Sequence, residues 1–195
     1  MTPAGAADDG ITYFDRFLKS TPAALMEFRQ VSFDANGRLL SEGVGRLWFS
    51  QPWKYRLEYD APDHFLLISD GETVWEYDQD LQQVIVRPFS SEGLSGIFAA
   101  LSAGDLDVVR EHYTLYSGIG GDLRWAGADA ISPDNSVRRV RLGFDGTLGD
   151  LKQVEIIDAF DGVVRMNIYH LEKGAEDTLF HFTPPPGVDV VYERR

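Results

Sequence analysis

Apolar and charged residues alternate most regularly between positions 53 and 60 of the chain. The apolar positions are Trp53, Tyr55, Leu57 and Tyr59, and a charged residue follows each of them. Because successive side chains of a β-strand point to opposite faces, this period of two predicts a strand with one apolar and one charged face. The apolar face is expected to contact either a core or a ligand.

Strands of this kind are predicted along most of the chain, with turn signals between them. Asp70-Gly71, Asp145-Gly146 and Asp161-Gly162 are such signals. The result is a mainly β protein with about eleven antiparallel strands and a few helices. A single sheet of this size must curl to protect its apolar face. That face is then either filled by its own side chains or left partly open for a ligand.

Two segments have the spacing of amphipathic helices. Phe14, Phe17 and Leu18 lie at positions i, i+3 and i+4 of a short helix predicted over Tyr13–Leu18. The second segment, Ser91–Leu101, carries apolar residues at i, i+3, i+4 and i+7, which favours a loosely attached surface helix. Its apolar residues are Leu94, Ile97, Phe98 and Leu101. Each helix needs an apolar surface to lie on, so both are candidate lids over the sheet.

The size and charge of the chain narrow its organisation and its partners. Its 195 residues fit one domain, predicted over residues 11–195, and the Ala, Gly and Asp content of residues 1–10 predicts disorder. The net charge of −13 argues against nucleic acid as a partner, because phosphate binding needs a basic surface. No apolar run is long enough for a transmembrane helix. No signal peptide is visible, so the chain is either cytosolic or a mature exported chain with an added Met1.

The residue patterns that would indicate catalysis or metal binding are missing from the sequence. The absence of cysteine excludes disulfides, thiolate metal sites and cysteine catalysis. The four histidines are widely separated without a metal-binding spacing, and no serine lies in a nucleophile motif. The sequence therefore predicts a protein that is not an enzyme, has no metal site and needs no cofactor.

The remaining signal is an excess of aromatic residues. The chain has 24 of them, and seven lie between Phe49 and Asp78. They either pack a filled core or line a concave apolar cavity that a lid covers. The residue pattern alone does not separate these two interpretations.

Several segments together resemble the periplasmic lipoprotein carrier family, LolA. From about residue 11 onward, the matching segments are FRQ at Phe28–Gln30, GRLWF, QPWKYRLEY, SDGETVWEYDQDLQQVIV, LKQVEIIDAFDG and the ending FHFTPPPGVDVV. Their order and spacing together make the resemblance specific. It implies an incomplete, unclosed antiparallel β-barrel with a helical lid over a hydrophobic cavity.

The resemblance also implies a function. A member of this family takes acylated lipoproteins from the inner-membrane lipoprotein-releasing ABC transporter across the periplasm to the outer-membrane lipoprotein acceptor. Such a carrier shields the acyl chains, works as a monomer and needs no cofactor. A periplasmic location implies that a signal peptide has been removed from this chain. Exposing an acyl chain of about 16 carbons to water costs roughly 12 kcal/mol, which explains the need for a shielded cavity.

The resemblance and the strand alternation together give the candidate site residues. Expected to line the acyl-chain cavity are Phe14, Phe28, Leu47, Phe49, Trp53, Tyr55, Leu57, Tyr59, Leu67, Trp75, Tyr77, Phe98 and Leu101. Expected to gate the lid are Gln51, Leu94 and Ile97. Tyr55 lies where members of the family have an aromatic residue that engages the transporter.

Gln51 departs from the family pattern, which usually has an arginine that hydrogen-bonds to the lid at this position. Glutamine offers two donors and no charge, whereas arginine offers five donors and a fixed charge. The lid is therefore expected to be held more weakly here, or to be held by another residue such as Arg46 or Arg56. The alternative functions are an outer-membrane acceptor, a carrier of other lipids or hydrophobic ligands, and an interaction module with a filled core.

Overall fold

The computed structural model describes residues 9–60, 64–89, 100–132 and 136–193. Its helices include α1 (Gly10–Ser20) and α2 (Leu106–Arg110), and a 3₁₀ turn spans Asp177–Phe180. Its strands are β1 (Ala23–Phe33), β2 (Leu39–Ser50), β3 (Lys54–Tyr59), β4 (Phe65–Asp70), β5 (Thr73–Asp78), β6 (Gln83–Pro88), β7 (Tyr113–Gly120), β8 (Leu123–Ala130), β9 (Val137–Asp145), β10 (Leu151–Asp158), β11 (Val163–Lys173) and β12 (Asp189–Tyr192). Within the described ranges, no helix is both long enough and apolar enough to cross a membrane.

The strands form one sheet in the order β12-β6-β5-β4-β3-β2-β1-β11-β10-β9-β8-β7. Neighbouring strands are antiparallel, except that β12 runs parallel to β6. Among the described strands, β7 and β12 form the two edges of the sheet and do not pair with each other. The expected unclosed antiparallel sheet is therefore confirmed, with twelve strands instead of about eleven and with one parallel edge strand that the sequence pattern did not predict.

The two faces of the sheet bury two separate clusters of apolar side chains. The larger cluster takes side chains from both halves of the sheet and from α1, so the sheet curls around it; we call this side the inner face. Consecutive residues of β4 show the division, since Leu67 belongs to this cluster and Leu66 and Ile68 belong to a second one. The second cluster lies on the outer face, where Phe182, Val188 and Val190 of the C-terminal segment cover it.

Helix α1 lies where the sequence predicted a short helix, and it is longer than the predicted segment. The side chain of Asp9 caps its first turn by accepting a hydrogen bond of 2.9 Å from the backbone N–H of Thr12. The helix ends before Pro22, because a residue that precedes proline is disfavoured in the helical conformation. Phe14, Phe17 and Leu18 are buried as the spacing predicted, so the apolar side of α1 is turned towards the sheet.

Trp53 does not continue the alternation of β3, contrary to the sequence-based prediction. It lies in the turn between β2 and β3 with a backbone φ of +66°, and the strand begins at Lys54. Its indole ring packs against the ring of Phe89, with 5.7 Å between the ring centroids. The prediction that Trp53 shares the inner face of β3 is wrong, because the turn takes its backbone out of the strand.

Trp75 and Tyr77 also lie away from the predicted place. Both belong to β5, but their side chains point to the outer face and pack against the ring of Phe182. Val74 of the same strand points to the inner face. The expectation that the two aromatic residues line the cavity is wrong, because the C-terminal segment gives the outer face of β5 a second apolar layer.

The predicted lid segment, Ser91–Leu101, lies mostly outside the described residues. Leu94, Ile97 and Phe98 are among the residues outside the described ranges. Residues 100–102 are helical, and Leu101 is buried against the inner face. Asp105 then caps α2 by accepting a hydrogen bond of 2.9 Å from the N–H of Asp107.

Candidate functional site

Strands β1 to β4 present a continuous apolar wall to the inner face. The strand register places Leu47 opposite Met26 and Leu57, and Leu57 opposite Leu67, so four aliphatic side chains form a row across four strands. All four side chains are buried. Because directly opposed residues on one face of a sheet lie in contact, this row is a smooth surface for an aliphatic ligand.

Aromatic residues flank this row on the side of α1. Phe49 and Tyr55 are register partners on β2 and β3, and both are fully buried. The ring of Phe17 from α1 lies between Phe49 and Phe144 of β9, with centroid separations of 6.1 and 5.9 Å. Phe14 stacks on Phe144 at 6.4 Å. Helix α1 therefore connects the two halves of the curled sheet through its aromatic side chains.

The described helices pack closely against the apolar part of the inner face. A cavity between Phe14, Leu101, Val109 and the β-strands around Val140 has a volume of about 20 Å³, which holds about one water molecule. An acyl chain does not fit into this cavity while α1, Leu101 and α2 occupy their present positions. The side chains that fill the space belong to helices, whereas the wall belongs to the sheet, so the helices can leave without breaking strand pairing.

Hydrogen bonds at the margins fasten these helices to the sheet. The Tyr13 hydroxyl donates to the carbonyl of Gly146 at 2.9 Å, and the N–H of Ile11 donates to the Ser117 hydroxyl at 3.1 Å. Residues 100–102 are held by a further bond, in which the N–H of Trp53 donates to the carbonyl of Ser102 at 3.2 Å. Each bond contributes about 1 kcal/mol, so side-chain packing is the larger part of the attachment.

Gln51 contacts α1 and the chain that follows the second candidate lid. Its Nε2 donates a hydrogen bond of 2.7 Å to the carbonyl of Leu18 in the last turn of α1. Its Oε1 lies beside Gly104, where a Cβ would come within 2.9 Å of that oxygen and where the backbone φ is +80°. A residue other than glycine is disfavoured at position 104 on both counts. Gln51 therefore fits between α1 and the chain that follows Leu101.

Arg46 and Arg56 do not replace the expected arginine at the lid. Both point to the outer face, where Arg46 pairs with Asp60 at 3.2 Å and Arg56 donates to Glu58 at 2.7 Å. Arg56 also donates to the carbonyl of Leu179 in the C-terminal segment. The expectation that one of them holds the lid is wrong, because strand alternation places residues 46 and 56 opposite to the inward-pointing residues 47 and 57.

The other tyrosine of β3 marks the border of the apolar wall. The ring of Tyr59 meets the edge of Phe28 at a centroid separation of 5.6 Å, and its hydroxyl donates to Oε1 of Gln30. Burial raises the pKa of the Tyr59 hydroxyl above its ordinary value of 10.0. The hydroxyl therefore stays protonated at neutral pH and keeps its donor role.

Strands β9 and β10 contribute a second group of inward-pointing apolar residues, which the sequence-based predictions did not include. Those predictions named residues only between positions 14 and 101. Val140, Leu142 and Phe144 of β9 face the same cluster, as do Val154 and Ile156 of β10. The alternation in the segment VRRVRLGFD was the available signal, since apolar residues occupy every second position from 140 to 144.

Comparison with known proteins finds relatives along nearly the whole chain. The family model described as outer membrane lipoprotein carrier protein LolA matches residues 19–183. A protein of Methylobacillus flagellatus named outer-membrane lipoprotein carrier protein is 36% identical over 196 residues, which cover 99% of this chain and 94% of that protein. A protein of Nitrosomonas europaea with the same name is 36% identical and covers 98% of this chain and 93% of its own length.

Two solved structures share the fold at low sequence identity. An uncharacterized conserved protein from Thermus thermophilus has a TM-score of 0.56 at 12% identity, with 93% of this chain and 97% of that chain covered. A LolA superfamily protein from Nitrosomonas europaea has a TM-score of 0.50 at 9% identity, with 90% and 99% covered. At these identities the likeness concerns the fold alone.

Proposed function

The chain belongs to the family of outer membrane lipoprotein carrier proteins, LolA, and we propose that it carries lipoproteins by enclosing their acyl chains against the inner face of its sheet. The observation that carries this proposal is the separation between wall and filling. The wall of β1 to β4 is built by strand pairing, whereas α1 lies over β7, β8 and β9 and reaches the wall through the side chain of Phe17, which contacts Phe49. Replacing α1 by a ligand therefore leaves the sheet intact.

Burial of the α1 side chains and shielding of an acyl chain contribute free energies of similar size. Burying the four large apolar side chains of α1, which are Tyr13, Phe14, Phe17 and Leu18, contributes about 6–12 kcal/mol. Shielding one acyl chain of about 16 carbons contributes roughly 12 kcal/mol. Because the two values are close, an acyl chain can displace the helix and the helix can later displace the acyl chain. A carrier that must both bind and release needs this balance, and no catalytic step or cofactor is part of the proposal.

The route that fits this exchange runs through the periplasm, with the chain as a soluble carrier from which a signal peptide has been removed. The donor would be the inner-membrane lipoprotein-releasing ABC transporter, and the recipient would be the outer-membrane lipoprotein acceptor. Tyr55 is fully buried beneath the covering helices. Tyr55 would therefore contact the transporter only after the lid has opened. Docking of the carrier on the transporter would then be coupled to exposure of the apolar wall.

Site-resolved cross-linking tests where the acyl chain binds. The protein would be produced with photo-leucine in place of leucine and mixed with an acylated lipoprotein or with the same lipoprotein lacking its acyl chains. Cross-links to the acyl chain are expected at Leu47, Leu57 and Leu67. Leu66 is the internal control, because it neighbours Leu67 but belongs to the outer-face cluster.

The outcomes distinguish a carrier from the alternatives. A 1:1 complex that forms only with the acylated lipoprotein, with cross-links on the inner face, supports the proposal. Equal binding of acylated and non-acylated protein would indicate an interaction module with a filled core. Cross-links at Leu66 in place of Leu67 would move the acyl site to the outer face and contradict the account.

A further inference from the structure

A second and larger pocket lies at the end of the sheet remote from Gln51, and we call it the end chamber. It has a volume of about 370 Å³ and opens to solvent. The described residues that line it are Gln30, Ser41, Glu42, Gly43, Tyr59, Asp60, His64, Phe65, Asp78 and Asp80. The strand register places several of them on the inner face, since Gln30 opposes Gly43 and Phe65 opposes Asp78. The end chamber is therefore a continuation of the inner face beyond the apolar wall.

The end chamber is open because β2 carries no side chain at Gly43. A Cβ built at Gly43 would meet only a Tyr59 ring carbon, at 3.8 Å, and the backbone there is not in the left-handed region. A larger residue at this position would enter the chamber without straining the strand. Gly45, two residues further along β2, is different, because a Cβ there would lie 2.6 Å from the ring of Phe28.

One aromatic pair separates the end chamber from the acyl wall. Phe28 is buried in the main cluster, and the Tyr59 ring packs nearly perpendicular to it, with the Tyr59 hydroxyl bonded to Gln30. The apolar side of this boundary is dry and packed, and the other side carries amide, hydroxyl and carboxylate groups. A ligand with an apolar part and an adjoining polar part would place its junction here.

The polar groups of the end chamber indicate which kind of polar part fits. Asp78 and Asp80 supply carboxylates, whereas strand alternation turns the side chains of Glu42 and Asp60 to the outer face with Arg46. No lysine or arginine is among the described residues of the lining. On the outer face, Arg46 neutralises the charge of Asp60. Nδ1 of His64 lies 3.7 Å from Oδ1 of Asp80. Acceptors therefore outnumber donors, so backbone N–H groups and basic side chains are favoured over phosphate or carboxylate groups.

We propose that the end chamber receives the first residues of the polypeptide of an acylated cargo, with a preference for basic over acidic side chains, while the acyl chains occupy the apolar wall. This proposal rests on the proposed function, since it assumes that acyl chains bind the inner face. It adds a subsite that would select among lipoproteins by the sequence that follows the acylated residue.

Three ligands separate the two sites: palmitate, a palmitoylated peptide with two lysines after the acylated residue, and its counterpart with two glutamates. Each would displace a fluorescent fatty acid from the intact chain. The lysine peptide is expected to bind roughly tenfold more tightly than the glutamate peptide. Gly43→Leu is expected to weaken the lysine peptide roughly tenfold and to leave palmitate unchanged.

Two further variants test whether the effect is specific to the end chamber. Gly118→Leu is the matched control, because a Cβ at Gly118 would likewise meet only one side-chain carbon, Trp125 Cβ at 3.9 Å, but Gly118 lies on strand β7. Ser41→Lys places a cation at the chamber and is expected to reduce the preference for the lysine peptide over the glutamate peptide. If palmitate binds but neither Gly43→Leu nor Ser41→Lys changes peptide binding, the end chamber proposal is overturned. If palmitate does not bind the unaltered chain, the proposed function itself fails.

Discussion

The side-chain amide of Gln51 donates a 2.7 Å hydrogen bond to the backbone carbonyl of Leu18, which joins the turn between β2 and β3 to the last turn of α1. The same side chain lies against Gly104, after the predicted lid segment. The Gln51 side chain is therefore positioned to hold both α1 and the segment around Gly104 against the turn between β2 and β3. Its neutral amide gives this contact the strength of an ordinary hydrogen bond, about 1 kcal/mol.

Substitutions at Gln51 should change how readily the cover opens. Gln51→Leu removes the donor, so amide hydrogen exchange in residues 10–20 should accelerate roughly fivefold. Gln51→Arg adds donors and a charge, so residues 91–103 should exchange more slowly than in the unaltered chain. Gln153→Leu is the control, because Gln153 bonds to Asn167 at an exposed site. Equal protection in all of these proteins would show that Gln51 does not fasten the cover.

Removing the aromatic contact between α1 and the sheet should destabilise the closed protein. Phe17 is buried between Phe49 and Phe144, so Phe17→Ala should lower the free energy of unfolding by about 3–5 kcal/mol in a urea titration. Phe160 is 87% exposed, so Phe160→Ala should change it by less than about 0.5 kcal/mol. A similar small effect for both variants would mean that α1 is not packed as described.

The outer face holds a charge cluster that should affect stability and not lipid binding. Glu155 is buried and accepts hydrogen bonds from Arg141 and Arg165, both at 2.9 Å. Glu155→Gln should lower the free energy of unfolding by about 2 kcal/mol, a moderate value because both arginines are partly exposed. Displacement of a fluorescent fatty acid should be unchanged. A loss of fatty-acid binding at preserved folding would contradict the assignment of the two faces.

Acid should destabilise the fold below about pH 4. The pKa values of Asp9, Asp129, Asp145 and Asp177 all lie below the ordinary 3.8. Backbone N–H groups lower the pKa of Asp9 and Asp145, and cationic side chains lower that of Asp129 and Asp177.

Because these folded-state pKa values are depressed, their contribution to stability is complete above 3.8 and is lost as the pH falls through them. Urea midpoints measured between about pH 5 and about pH 2 should fall with acidification. Asp129→Asn should flatten that dependence, because it removes one of the titrating groups. A midpoint that stays level or rises below about pH 4 would count against these assignments.

Local signals in the sequence were sufficient for most of the fold. The period of two over residues 53–60, the Asp-Gly turns and the spacing of Phe14, Phe17 and Leu18 each depend on neighbouring residues. The structure confirms the turns, the helix and a strand at Lys54–Tyr59. The curling of the sheet was predicted from its number of strands, and its unclosed form was implied by the family resemblance.

The direction of each strand face could not be read in the same way. Alternation shows that Trp75 and Tyr77 share a face, but it does not show that the C-terminal segment covers this face from outside the sheet. Which face is the inner one depends on contacts with residues about one hundred positions away. The left-handed backbone of Trp53 likewise has no signal in the alternation, which continues through that residue.

Amide hydrogen exchange of the chain with bound acylated lipoprotein tests most directly whether the acyl chains replace the covering helices. We expect residues 10–20 and 100–110 to exchange faster in the complex than in the free chain, while β1 to β3 remain protected. The same lipoprotein without its acyl chains should leave both regions unchanged. Unchanged or increased protection of residues 10–20 in a complex that demonstrably holds the acylated cargo would contradict the exchange between helix and acyl chain.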